Sequence, residues 1–183
     1  YPFDLMRAEQ SRFYRALRPR AFHGFDVAAG HDGGYADLFA RLEATGAPRG
    51  WTASLDRRPG ETLQEEAARL SARLSDAPAG LDPLARADLS ALIDGLTYTA
   101  LVRDAATYAE TSPAMAFRED AMKRRLADIR SLTPGKQVLM GHALHLLRDD
   151  AAVSAPGIVG PGGKRTSSLG HHIGRELGLP MFI

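Results

Sequence analysis

The chain has no cysteine. A disulfide framework, a thiolate nucleophile and a cysteine-ligated zinc site are therefore excluded. That absence fits a reducing compartment, and the expected location is cytoplasmic. Lysine is scarce as well. Only Lys123, Lys136 and Lys164 occur, so arginine carries most of the positive charge, which reads as a genomic composition bias. Neither sign of charge is in excess. The 23 Lys and Arg residues balance 22 Asp and Glu residues for a formal net charge of +1, which gives no electrostatic argument for nucleic acid or an anionic membrane as partner. No apolar run approaches the ~20 residues needed to span a bilayer, and no signal peptide opens the chain.

What is present is ordinary globular composition. Of 183 residues, 44% are hydrophobic and 25% are charged, enough for one good core or one domain with a helical annex. The chain starts at Tyr1 and enters a helical pattern almost at once. It stops at "LPMFI", which reads as a strand. A domain rarely ends inside a buried strand, so the natural protein is expected to extend in both directions.

Periodicity divides the chain into three zones. Residues 3–18 read as a helix stopped by Pro19. "AFHGFDV" (21–27) reads as a strand, and residues 35–46 as a helix stopped by Gly46. The middle zone is helical. Leu63, Ala67, Leu70 and Leu74 fall at helical spacing within 61–78, and Glu61, Glu65 and Glu66 suit its positive N-terminal end. Asp82 as N-cap and Pro83 at the first helical position open a helix to about Glu110. Ser112 and Pro113 repeat that device. Residues 61–132 are thus expected to form long antiparallel helices. The last zone alternates: "KQVLM" (136–140) as a buried-type strand, a Gly/Pro-rich loop (154–168), a short helix (168–178) ended by Gly178, and the strand "LPMFI". The expected class is α/β, a mainly parallel sheet flanked by helices, with the helical block 61–132 as an insertion within one domain spanning 1–183.

In open α/β sheets ligands bind beyond the carboxyl ends of the strands. His142 and His145 follow the strand 136–140, and Asp26 ends the strand 21–25. If both strands are parallel, Asp26 and His142 reach the same rim, where a carboxylate could orient an imidazole working as acid or base. The plainer reading has these histidines only donating to backbone carbonyls. A spacing of three, with Ala143 and Leu144 between, does not match the i, i+4 zinc motif, so no metal is expected. "GPGGKRTSS" (160–168) lacks the order of a phosphate loop, and no G-x-S-x-G elbow occurs. Arg118 reads as a surface residue or as an anion anchor at the rim.

Several fragments together resemble the erythromycin esterase-like family. "RFYRALRPRAFHGFDV" resembles its helix leading into a strand that ends in G-F-D. "FREDAMKRRLADI" resembles its R-x-x-x-M-A helix, with Arg118 and Met122 matching. "GKQVLMGHALHLL" resembles its strand ending in H-N-x-H, with His142 and His145 matching and Ala143 replacing Asn. "SSLGHHIGRELGLPMFI" resembles its M-G-x-x-L segment, with Gly170 retained. The family includes macrolide-ring esterases and proteins of succinoglycan biosynthesis. The resemblance implies an α/β fold and a hydrolase that cleaves an ester or lactone by histidine-activated water, without metal or cofactor. His142 and His145 would be catalytic, and Asp26 and Arg118 would orient the substrate. The family's G-E-x-x-H-G segment is not in this chain. A second reading is a ligand- or haem-binding protein on a related Tiki-like scaffold. A third is a degenerate homologue with a biosynthetic partner role.

Overall fold

The computed structural model describes residues 35–135, 143–146 and 167–179. The expected helix 3–18 and the expected strands 21–27 and 136–140 lie outside them, as do residues 180–183 of the expected C-terminal strand. Among the described residues the chain is helical and contains no strand. In chain order the helices are α1 (Tyr35–Ala44), α2 (Arg49–Ala53), α3 (Leu63–Ser75), α4 (Pro83–Asp104), a 3-10 turn (Tyr108–Thr111), α5 (Ser112–Leu132), α6 (Ala143–Leu146) and α7 (Leu169–His171), which runs on into a π-helical turn (His172–Glu176).

The α/β expectation is therefore corrected. Its helical zone exists as expected, but it is not an insertion between described strands. It is the body of the described residues. The physical reason lies in how the apolar residues are used. Leu38 and Leu42 of α1, Leu55 of the α2–α3 connection, Leu63, Ala67 and Leu70 of α3, and Ala85, Leu89, Leu96 and Ala100 of α4 bury against one another as one core. Met122, Leu126 and Ile129 of α5 form a second core with Leu169 and Ile173. Helices thus satisfy helices, and Leu179, read from sequence as the start of a strand, packs at the edge of the second core instead.

Local chemistry explains where the helices start and stop. Thr62 and Glu65 form a capping box on α3: the Glu65 N–H donates to Thr62 Oγ1 at 3.3 Å, and the Thr62 N–H donates to Glu65 Oε2 at 2.9 Å. Asp82 caps α4 by accepting from the Ala85 N–H at 2.8 Å, with Pro83 in the first turn as expected. The same device does not recur at Ser112. The 3-10 turn feeds directly into α5, so Ser112 is already helical and buried, and Thr111 at the cap makes no side-chain capping bond. Gly46 ends α1 at φ 101°, a conformation that side chains with a Cβ rarely adopt.

Long-range bonds fix the helix directions. Gln64 at the start of α3 donates to Asp104 at the end of α4 at 2.8 Å, while Arg86 near the start of α4 donates to the Leu74 carbonyl at 3.0 Å. The two helices are antiparallel. Helix α5 runs back along α4, with Met115 opposite Tyr98, Arg124 bound to Asp94 at 3.1 Å and Arg125 bound to Asp88. Asp88 shares its carboxylate. One oxygen meets the buried Arg125 of α5, and the other meets Arg41 of α1 at 2.6 Å. One side chain therefore joins three helices.

The two arginines differ in environment: the Arg125 side chain is 5% exposed and that of Arg41 is 60% exposed. Removing one member of a buried pair strands the other charge, at a cost of about 3–5 kcal/mol, whereas an exposed pair contributes about 0–1 kcal/mol. Asp88→Ala is expected to lower stability by about 3–5 kcal/mol in urea unfolding and Arg41→Ala by less than about 1 kcal/mol. Equal losses would contradict this account of the Asp88 junction.

Candidate functional site

Residues 143–146 and 167–179 dock on one side of α5, and polar groups concentrate along that seam. The sequence explains why. Met122, Leu126 and Ile129 recur at helical spacing and form the apolar stripe of α5 that enters the second core. Glu119 lies three residues before Met122 and continues that stripe. Its carboxylate is only 13% exposed and meets the docked segment at two points. Oε1 pairs with Nδ1 of His145 on α6, and Oε2 accepts from the Leu169 N–H at 2.9 Å. A carboxylate oxygen accepts, so the imidazole Nδ1–H is the donor in this pair.

The start of α7 is capped twice. Ser168 Oγ accepts from the His171 N–H at 3.1 Å, and Glu119 takes the Leu169 N–H from another helix, 50 residues earlier in the chain. Two of the backbone donors that a helix start leaves unpaired are satisfied in this way. Next along α5, Lys123 donates to Ser167 Oγ at 2.7 Å and pairs with Asp120 at 3.2 Å. Ser167 donates to Glu176 Oε1 at 3.4 Å, and His172 Nδ1 lies 2.5 Å from Glu176 Oε2. The His172 hydrogen bond holds the Glu176 carboxyl below its ordinary value of 4.5, with the nearby Lys123 charge acting in the same direction.

The expected site residues can now be placed. His145 is in α6, a short helix against α5 and α7 rather than a loop at a sheet rim, and it is paired with Glu119. The guanidinium of Arg118 lies over the Tyr98 ring of α4, 5.4 Å from the centroid, a cation–π contact within the α4–α5 pair. His142 and Asp26 lie outside the described residues. The structure thus brings His145 to Glu119. Sequence reading missed Glu119, Lys123 and Ser168. The available signal was a carboxylate continuing an apolar helical stripe, a placement seldom left to chance.

Among the described residues no group of three or more His, Asp or Glu side chains could hold a metal ion. No family model, curated protein or solved structure matches this chain. The erythromycin esterase-like resemblance is therefore overturned: its short motifs match in order, but no family model does, and the described residues are helical with no strand among them. With it fall the esterase reading, the metal-independent ester hydrolase, and the Tiki-like haem-binding and degenerate-homologue alternatives. All were drawn from a scaffold that the described residues do not form, and no histidine cluster suited to haem occurs among those residues. Among those residues, too, no helix is long and apolar enough to cross a membrane.

The depressed carboxyl of Glu176 gives a pH dependence with a definite sign. A carboxyl that titrates lower in the folded state contributes stability above its unfolded value, and that contribution is lost as pH falls through the folded one. His172→Ala is expected to reduce stability at pH 7, with the difference from the parent protein shrinking as acid takes the pH below 4.5. Thermal melts at several pH values measure this, and a difference that grows in acid would contradict it.

Proposed function

We propose that this chain is a non-catalytic helical scaffold, in which α1 to α5 form a platform that holds the segment carrying α6, α7 and the π-helical turn for contact with a partner. The observation that supports this reading is the use of Glu119. Both of its oxygens are engaged in fastening that segment, one to the His145 imidazole and one to the first N–H of α7. Lys123 and Ser167 are likewise engaged across the seam. Each of these polar side chains joins one element to another, which is the work of a dock.

On this reading His145 is a positioning residue, held by Glu119, and Arg118 steadies the α4–α5 pair through Tyr98. No ester or lactone is required as ligand. A cytoplasmic setting belongs to the same proposal and fits a chain without cysteine.

Glu119→Gln keeps the shape of the side chain but removes the charge and puts a donor where an acceptor is needed. Losing charge-assisted bonds of this kind costs about 1.5–3 kcal/mol locally. Hydrogen exchange is expected to speed up by about tenfold or more in residues 143–146 and 169–176, while α3 and α4 keep their protection. Unchanged protection of the docked segment would overturn the scaffold reading. So would ester turnover by the purified chain that is lost in His145→Gln.

A further inference from the structure

A second polar feature lies on α3, apart from the seam on α5. Glu66 has no solvent exposure and sits on the apolar stripe of α3, between Leu63 and Leu70. Neither of its carboxylate oxygens has a hydrogen-bond partner among the described residues. The cation beside it is Arg57, whose Nε lies 3.4 Å from Oε2 without making a hydrogen bond, and whose side chain is half exposed. The positive end of α3 favours the charge, since Glu66 lies in the first turn. It does not satisfy the roughly four acceptor positions of an ionised carboxylate.

A buried donor lies in the preceding helix. Trp51 of α2 packs against the core that contains Leu63, Ala67 and Leu70, and its Nε1 is buried with no hydrogen-bond partner among the described residues. Between α2 and α3 runs a strap, residues 54–61. Arg69 of α3 fastens its two ends, donating to the Ser54 carbonyl at 3.0 Å and to both Glu61 oxygens at 2.7 and 2.9 Å. The middle of the strap, residues 56–60, is exposed and carries Arg57. An exposed arginine on a tethered strap thus faces a carboxylate that is wholly enclosed.

We propose that Glu66 anchors a guanidinium site, in which Arg57 is a built-in occupant that another guanidinium group can displace. The fork of a guanidinium matches a carboxylate with two parallel N–H bonds, whereas an ammonium is a point charge without that fit. A freely placed guanidinium supplies the hydrogen bonds that Arg57, held by its strap, does not. The incoming group is an arginine side chain of a partner protein or a free guanidino compound. Both carry the same chemistry. The site is independent of the α5 seam, so the scaffold reading stands or falls separately.

Chemical rescue of the full chain tests this. Arg57→Ala is expected to melt below the parent protein. Millimolar methylguanidinium is expected to raise its Tm by about 2–4 °C, through binding to the folded state alone. Methylammonium is expected to give no such rise, and the rise is expected to vanish in Arg57→Ala/Glu66→Gln. An N-acetylated, C-amidated Gly-Arg-Gly peptide separates the sources: rescue by the peptide points to a partner's arginine, and rescue by methylguanidinium alone points to a free compound. If Arg57→Ala does not fold, Arg57→Lys carries the same comparison, because it keeps the charge and lacks the fork. A variant as stable as the parent, equal rescue by methylammonium, no rescue, or rescue that survives Glu66→Gln would each overturn the proposal.

Discussion

Helix α5 must satisfy two different neighbours at once, and the rest of the described fold follows from how it does so. Toward α4 it offers charge: Arg125 meets Asp88 and Arg124 meets Asp94. Toward the C-terminal segment it offers Met122, Leu126 and Ile129, with Glu119 and Lys123 beside them. The two cores do not merge. One is built by α1, α3 and α4 with the connections between them, the other by α5 with α7 and the π-helical turn. Ala87 and Gly95 of α4 and Ala114 and Ala121 of α5 are buried outside both cores. Small residues of this kind bury little apolar area each, while the ion pairs Arg125–Asp88 and Arg124–Asp94 join α5 to α4.

Two carboxylates show how those contacts work. Asp88 and Glu119 each divide their oxygens between two partners, and each links α5 to other parts of the chain. Such groups stabilise by geometry as much as by charge. With both oxygens engaged, neither carboxylate is left buried and unpaired. Asp94 lacks that advantage. Burial pushes its carboxyl up, although Arg124 pulls the other way, so its charge is tolerated at the α4–α5 junction rather than strongly favoured.

Much of the helical body was legible in the sequence. The stripe Leu63, Ala67, Leu70, the Asp82–Pro83 start of α4, the helical run from 112 to 132 and the stop at Gly46 depend on neighbours a few residues away, and these readings agree with the structure. The sheet is where the reading and the described residues part, since those residues contain no strand. The apolar residues near the C-terminus were read by period and by position after glycine, and those signals do not say what an apolar face will meet. Of the site, His145 was visible as a residue type near a turn. Its partner Glu119 was hidden, because the two are 26 residues apart and only packing brings them together.

By itself, then, the sequence determined the charge balance, the lack of thiol chemistry and the existence of the long helices, since composition, capping and 3.6-residue spacing are local properties. Tertiary structure alone decided that α5 would serve two cores, that Glu119 would cap a helix 50 residues away, and that Glu66 would be shut from solvent beneath a strap carrying Arg57. Those outcomes depend on which helix faces are brought together, and no spacing along the chain encodes the pairing of surfaces far apart in sequence.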